Sequence, residues 1–386
     1  MKKKFILAII ATAILSPLLM LTAIFWLVGA NAETAKGMVR FLGAKHFVES
    51  QYVDEVDDGK LIDGAITGMV QSLDDPHSIY LGPEMYKTLI EHTEGTFGGI
   101  GVVMGFKNHK VTIISVMDGT PGEAAGLKAN DEIKAVDGTA VTEIQPEEVA
   151  LHIRGEVGTD VSLTIHREGE EDRDVTITRD NIQVRTAAGR MLETDGIGYI
   201  RIASFSENTG KEFKEAYDSL VEQGMNGLVI DLRENPGGLV STCVEIADLI
   251  VPKGPIVSVV RRDGSKEEYQ SDLTESKYPI VVLIDGNSAS ASEILSGALQ
   301  DTEAGTLVGT KSYGKGSVQV VMPMADNSGL KLTVAKYYTP SGRSIDGTGI
   351  EPDVPIELDA AGGTDNQLAK AIEVMQQKLH SADRAE

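Results

Sequence analysis

Two stretches of this chain, Gly227–Leu232 (GLVIDL) and Pro279–Asp285 (PIVVLID), are almost wholly apolar, without alternation. A strand of this kind needs cover on both faces, which an all-parallel sheet between helices supplies. Each leads through a turn of small and polar residues, Arg233–Gly238 (RENPGG) or Gly286–Ser292 (GNSASAS), into a helical stretch, Leu239–Leu249 or Glu293–Gln300. Ile197–Phe205 with the amphipathic Glu207–Gln223 makes a third such unit, and Ile256–Val260 and Thr306–Gly309 read as further strands. Repeated strand–helix units predict an α/β core with a mainly parallel sheet. Lys266–Ser271 is expected to pair with Ile256–Val260. Gln319–Pro323 and Gly329–Tyr338 are expected to form an appended antiparallel hairpin, and Gln367–Leu379 a last helix.

The chain ahead of this core has a different character. Glu33–Gly95 reads as helical, with an apolar helical face in Leu61–Leu73 and a second short helix over Met85–His92. Between them Asp74–Leu81 is a turn by composition, where Asp75 and His77 serve as turn and cap residues. Gly98–Arg179 consists of short strands broken by Gly, Asp and Asn, with helical pieces at Pro121–Leu127 and Gln145–Ile153. This fits a small, partly open, barrel-like β-structure with two helices. Asn181–Asp195 reads as a connector.

At 386 residues the chain has room for two or three domains. A net charge of −23 argues against nucleic acid and against flat binding to an anionic membrane surface. The single Cys243 excludes an internal disulfide and reads as a small buried side chain. No Cys or His cluster has metal-ligand spacing, so no metal or other cofactor is expected. From Phe5 to Ala30 there is no charged residue, and three lysines precede the run. That pattern predicts a membrane anchor with a cytoplasmic N-terminus. The alternative is a cleaved signal peptide ending at Ala30-Asn31-Ala32, although its apolar region would be unusually long. Both readings put the rest of the chain outside the cytoplasm.

The serines of GNSASAS stand where a strand passes into a helix. The positive helix end and its free N–H groups suit a nucleophile that must hold an oxyanion. Serine and asparagine are also ordinary helix caps, and the stretch alone reads that way. A nucleophile further needs a base. The seven histidines stand at 46, 77, 92, 109, 152, 166 and 380, and none lies between 167 and 379. A Ser-His-Asp triad built within the α/β part is therefore impossible. Lysine acts as a base only when neutral, which burial away from carboxylates favours. Gly309–Gln319 (GTKSYGKGSVQ) offers Lys311 and Lys315; Lys315 lies between glycines and Gln319 could orient it. Both lysines also fit an exposed loop.

Two resemblances extend this reading. GGIGV followed by GTPGEAAGLKANDEIKAVDG resembles a PDZ domain. In such a domain the loop Gly98, Gly99, Ile100, Gly101 would hold a peptide's terminal carboxylate on backbone N–H groups. The edge strand from Val102 would accept the peptide as an added strand. SASASEI and KGSVQ, together with DDPHSIYL, DLRENPGG and Gly347–Ile356, resemble the carboxyl-terminal processing peptidases. These are the S41-type, tail-specific serine proteases. The resemblance implies an endopeptidase with a Ser-Lys dyad on a crotonase/Clp-like α/β core, an inserted PDZ domain and a helical N-terminal segment. Ser290 matches the nucleophile, Lys315 the base and Gln319 the residue that positions it. Ala291 and Gly237 match the oxyanion donors, with Gly238 as an alternative to Gly237. Glu293 and Asp301 also match motif positions and read as helix-end charges.

Arg154, just after the second PDZ helix, could couple tail binding to the core, or could simply be solvated. The implied partners are proteins or peptides with apolar C-terminal tails and, through the N-terminal helix, a membrane. Residues 33–92 and the last helix offer contacts for a homo-oligomer. The expected divisions are 1–32 (anchor or signal peptide), 33–95 (helical), 96–180 (PDZ), 181–358 (peptidase core) and 359–386 (last helix). Two other classes compete. One is a membrane-anchored PDZ scaffold or chaperone with a silent core, against which the intact Ser290, Lys315 and Gln319 argue. The other is an acyl-CoA enzyme, for which no stretch reads as a nucleotide site.

Overall fold

The computed structural model describes residues 31–107, 110–359 and 363–382, together with Ser16. Apart from Ser16, the anchor expected over Phe5–Ala30 lies outside the described residues. Among the described residues no helix is long and apolar enough to cross a membrane. The chain divides into two compact units, one up to Tyr80 and one from Leu81.

The first unit holds helices α1 (Ala32–Gln51) and α2 (Asp58–Gln71). Asn31 caps α1 by accepting the N–H groups of Glu33 and Thr34, and Asp57 caps α2 through Lys60 N–H. Helix α1 buries none of its residues and exposes Val39, Phe41, Leu42 and Phe47. In the following turn His77 N–H donates to Asp75 Oδ1 (3.0 Å), the turn role expected for this pair. A short strand, β1 (Ile79–Leu81), spans the junction.

The second unit opens with α3 (Pro83–Glu94), which has proline in its first turn and ends at the left-handed Gly95. A β-rich module follows. Strand β2 (Thr96–Gly99) pairs with β9 (Asp180–Gln183) and closes the module at its base. Between them runs an antiparallel sheet in the order β3 (Val102–Lys107), β4 (Lys110–Val116), β5 (Glu132–Val136), β7 (Asp160–His166), β8 (Arg173–Thr178). The short β6 (Thr139–Ala140) pairs beside β5. Helices α4 (Pro121–Ala124) and α5 (Pro146–Ile153) complete the module. Its core is its own, built on Ile113, Ile133, Val149, Val161, Leu163 and Ile165.

The α/β core is a six-stranded sheet in the order β10 (Ala187–Met191), β11 (Ile197–Ile202), β12 (Gly227–Asp231), β15 (Ile280–Ile284), β16 (Gly305–Gly309), β19 (Val354–Pro355). From β11 onward every pairing is parallel. The unbroken apolar runs are explained by cover on both faces. Ile200, Leu228, Ile230, Val282 and Ile284 face α6 (Thr209–Glu222), α7 (Val240–Ile250) and α8 (Ala291–Asp301). Val229, Val281, Leu283 and Val308 face the last helix, α9 (Asn366–Ala382), on the other side, through Ala371 and Met375.

Two expectations need adjustment. Gly254–Arg261 (β13) is not part of the parallel sheet. It pairs antiparallel with β14 (Lys266–Ser271) and with β18 (Gly329–Tyr338), and β18 pairs with β17 (Ser317–Pro323). A tight turn at Gly264 lets β13 find its partner locally, whereas a parallel partner needs a crossover. The connector Asn181–Asp195 is mostly strand: β9 closes the module and β10 forms an antiparallel edge on β11. The closing EPDVPI adds a parallel edge strand, with Pro355 at the rim where a missing N–H is tolerated.

Met375 is wholly buried, and its sulfur lies 2.4 Å from where a side chain on Gly227 would begin. Met375→Ala is expected to lower the unfolding free energy by about 2–5 kcal/mol in urea titrations. A loss below about 0.5 kcal/mol would mean that α9 is not part of the core packing.

Candidate active site

The turn after β15 sorts the three serines. Asp285 Oδ1 accepts the N–H groups of Asn287 and Ser288, each at 3.0 Å, and closes the turn. Ser288 is fully buried and its Oγ donates to Leu232 O (2.8 Å). Ser292 is fully buried and its Oγ donates to Asn235 O (3.0 Å). Ser292 therefore fastens the serine turn to the neighbouring RENPGG turn, and Ser288 fastens it to Leu232, just before that turn. Ser290 alone borders open space, on a cavity of about 560 Å³. It is the N-cap of α8, with φ 54° and ψ −112°. A non-glycine residue held there costs roughly 1–3 kcal/mol and needs support from its surroundings.

Part of that support is steric. Gly237 has φ 99°, and a Cβ there would lie 2.8 Å from Ser290 Cβ and 2.6 Å from Ala289 O. Only glycine lets the two turns meet so closely. The other support is Glu293, fully buried in the first turn of α8. Its Oε2 accepts the N–H of Ser290 (2.9 Å) and the N–H of Lys315 (2.9 Å). Its Oε1 accepts Ser312 Oγ (2.6 Å) and Gly314 N–H (2.7 Å). One carboxylate thus holds the backbone of Ser290 and the loop that carries Lys315. Behind it Cys243 is buried as expected, its thiol donating to Ala291 O (3.2 Å).

Lys315 lines the same cavity as Ser290. Burial pushes its ammonium below the ordinary lysine range; the charge of Lys331 adds to the effect and Glu293 opposes it. Lys311, the other candidate, is exposed and paired with Glu351 at 2.8 Å. Among the described residues no hydrogen bond joins Lys315 Nζ to Ser290 or to Gln319. Gln319 also lines the cavity, but its Nε2 donates to Ser317 Oγ (2.8 Å) and Thr333 Oγ1 (3.2 Å). A ladder irregularity falls beside it, between Val318 and Gln319. Tyr337, buried and kept neutral by burial, donates its hydroxyl to Lys315 O and lies beside the Ser290 side chain.

The two expected oxyanion donors differ. Ala291 N–H donates to no acceptor among the described residues. Gly237 N–H is taken by Asn235 Oδ1 (2.8 Å), and Asn235 is itself fully buried, with Nδ2 on Ile202 O (2.8 Å). Gly238, also on the cavity wall, has an N–H that donates to no described acceptor.

A second cavity, about 530 Å³, lies in the β-module between β3 and α5. Gly99, Ile100, Gly101 and Val102 line it. Gly98 lies outside the lining, packed so that a Cβ would meet Gly155 O at 2.1 Å. β3 is an edge strand, open on its groove side. Arg154 borders the groove with its guanidinium over the Phe97 ring, 4.2 Å from the centroid.

Glu293, Tyr337, Asn235 and Lys331 are site residues that the sequence reading did not assign. The S-x-x-E spacing of Ser290 and Glu293 is a capping-box signal, which gave the helix-end role but not the bond to the lysine loop. Tyr337 enters through strand register, which leaves no local mark. Asp301 has the helix-end role expected, accepting from Ser341 Oγ and Arg343.

Residues 196–356 match the family model "Peptidase family S41". Residues 98–178 match "PDZ domain", and 28–85 match "Activating protease CtpB N-terminal domain". A carboxy-terminal-processing protease of Bartonella bacilliformis is 42% identical over 84% of this chain and 76% of its own length. The carboxy-terminal processing protease CtpB of Bacillus subtilis is 39% identical over 85% of this chain and 69% of its own. Among solved structures, a photosystem II D1 C-terminal processing protease superposes with a TM-score of 0.50 at 29% identity, covering 87% of this chain and 96% of that one.

Glu293→Ala leaves two buried and two part-buried donors without their acceptor. The unfolding free energy is expected to fall by at least about 3 kcal/mol, measured by chemical denaturation. A change within 0.5 kcal/mol, a rough surface-substitution value, would contradict the clamp.

Proposed function

Since the chain belongs to the S41 family of serine peptidases, the carboxy-terminal processing proteases, we propose that it cleaves proteins near their C-termini with Ser290 and Lys315 as a dyad. The observation that supports this most is the pairing of Ser290 with a half-buried lysine on one cavity, both tied by their backbone to Glu293. Neutral Lys315 takes the proton of Ser290 Oγ as the oxygen attacks the peptide carbonyl. The oxyanion is held by the N–H of Ala291 and, because Gly237 N–H is engaged, by that of Gly238. Lys315 then gives its proton to the departing amine as the C–N bond breaks. Water, deprotonated by the same lysine, releases the acyl group as a carboxylate and restores Ser290. Gln319 positions Lys315 after a turn of its amide away from Thr333.

The groove between β3 and α5 takes the substrate's apolar C-terminal tail, with its carboxylate on the loop of residues 98–101. Tail capture raises the local concentration of the chain at the dyad. Arg154 couples groove and core through its contact with Phe97. We further propose that Phe5–Ala30 tethers the catalytic part to the outer side of a membrane, and that the apolar residues on α1 serve a homo-oligomer.

A peptide with a free apolar C-terminus is expected to be cut, and its C-terminal amide to be cut more slowly. Ser290→Ala and Lys315→Ala are each expected to lose at least about 10³-fold in kcat. Turnover in either variant close to that of the parent would sink the dyad. An uncut peptide that is nevertheless bound would instead favour the silent scaffold.

The base form of Lys315 grows as pH rises, so kcat/KM should climb with pH. Because burial depresses its pKa, the midpoint should fall below the ordinary lysine value of 10.5. A rate that falls from pH 6 to 9, a range chosen as roughly bracketing general-base titration, would contradict a lysine base.

A further inference from the structure

Lys331 has no role in the chemistry above, yet it lines the catalytic cavity. It lies on β18 opposite Val321, two residues from Thr333, which is opposite Gln319. Cross-strand partners point to the same face, so Lys331 stands on the face that carries Gln319. The lysine is half-buried, and among the described residues it has no ion pair and no hydrogen bond. Lys336, farther along the same strand, is bound to Asp346 at 2.9 Å. The chain has 58 acidic residues against 35 basic ones, yet none of the residues lining this cavity is acidic. Leu89, Ile90, Val318 and Val321 supply apolar wall to the same cavity, and Val321 is the cross-strand neighbour of Lys331.

A partly desolvated ammonium without a counter-ion is unfavourable, and an incoming carboxylate relieves it through a charge-assisted hydrogen bond. We propose that Lys331 is a specificity residue that binds a carboxylate of the peptide lying in the catalytic cleft. This rests on the peptidase reading and adds to it an acidic group within a few residues of the bond that is cut. The carboxylate can come from an Asp or Glu side chain or from the free end of a short tail. Burial also lowers the proton affinity of Lys331, as it does for Lys315, and a bound anion would restore it.

Binding separates these sources without relying on turnover. Fluorescent peptides that share one apolar tail are titrated into the full chain carrying Ser290→Ala, with anisotropy as the readout. One set places Glu or Gln at each position flanking the bond cut; the other ends in a free acid or an amide. One Glu position, or the free acid, is expected to bind about tenfold more tightly than its neutral counterpart through contact with Lys331. That increment should vanish in Lys331→Met and Lys331→Gln and persist in Lys331→Arg, while the neutral peptide binds all alike. Tail capture by the groove adds equally in every variant, so the change in ratio is what counts. Equal Glu/Gln and acid/amide ratios with and without the Lys331 charge would overturn the inference. Failure of the unsubstituted chain to cut any of the peptides would bear on the peptidase reading alone.

Discussion

The site is organised around the buried Glu293 carboxylate. Four donors converge on its two oxygens: Ser290 N–H, Lys315 N–H, Gly314 N–H and Ser312 Oγ. They come from both sides of the cavity, the serine turn and the lysine loop. A buried carboxylate is tolerable only when its lone pairs are met, and here each oxygen meets two donors. The bonds fix the backbone at both residues without engaging either side chain. That division explains how Ser290 and Lys315 can share a cavity without a hydrogen bond between them.

The surrounding elements serve this clamp. The parallel sheet delivers two turns side by side, after β12 and after β15, and Ser288 and Ser292 bolt them together. Gly237 allows the closest approach, and the contact helps to hold Ser290 in its left-handed conformation. Tyr337 supports the lysine loop from the antiparallel sheet through Lys315 O. The groove between β3 and α5 is built differently, on an open strand edge over a small core of its own.

Much of this was legible in the sequence, and the missing parts share a cause. The apolar runs GLVIDL and PIVVLID announced the two-faced sheet because burial on both sides leaves no alternation. The histidine-free stretch from 167 to 379 leaves lysine as the candidate base. By contrast, the placement of Gly254–Arg261 beside β18 depends on a partner far along the chain. Non-local pairings leave little local trace. Asn235, Tyr337 and Lys331 were missed for the same reason, since each gains its role from a neighbour distant in sequence. The competition for Gly237 N–H was equally hidden, because it turns on where one Asn235 side chain points.

The central claim is that Ser290, alone among the three serines of its turn, is a nucleophile activated by Lys315. Covalent labelling tests it most directly. The chain is treated with a fluorophosphonate in the presence of a peptide with an apolar free C-terminus, then mapped by mass spectrometry. One adduct is expected, on Ser290, formed in the parent chain and lost in Lys315→Met. An adduct on Ser288 or Ser292, or equal labelling without the lysine, would contradict it.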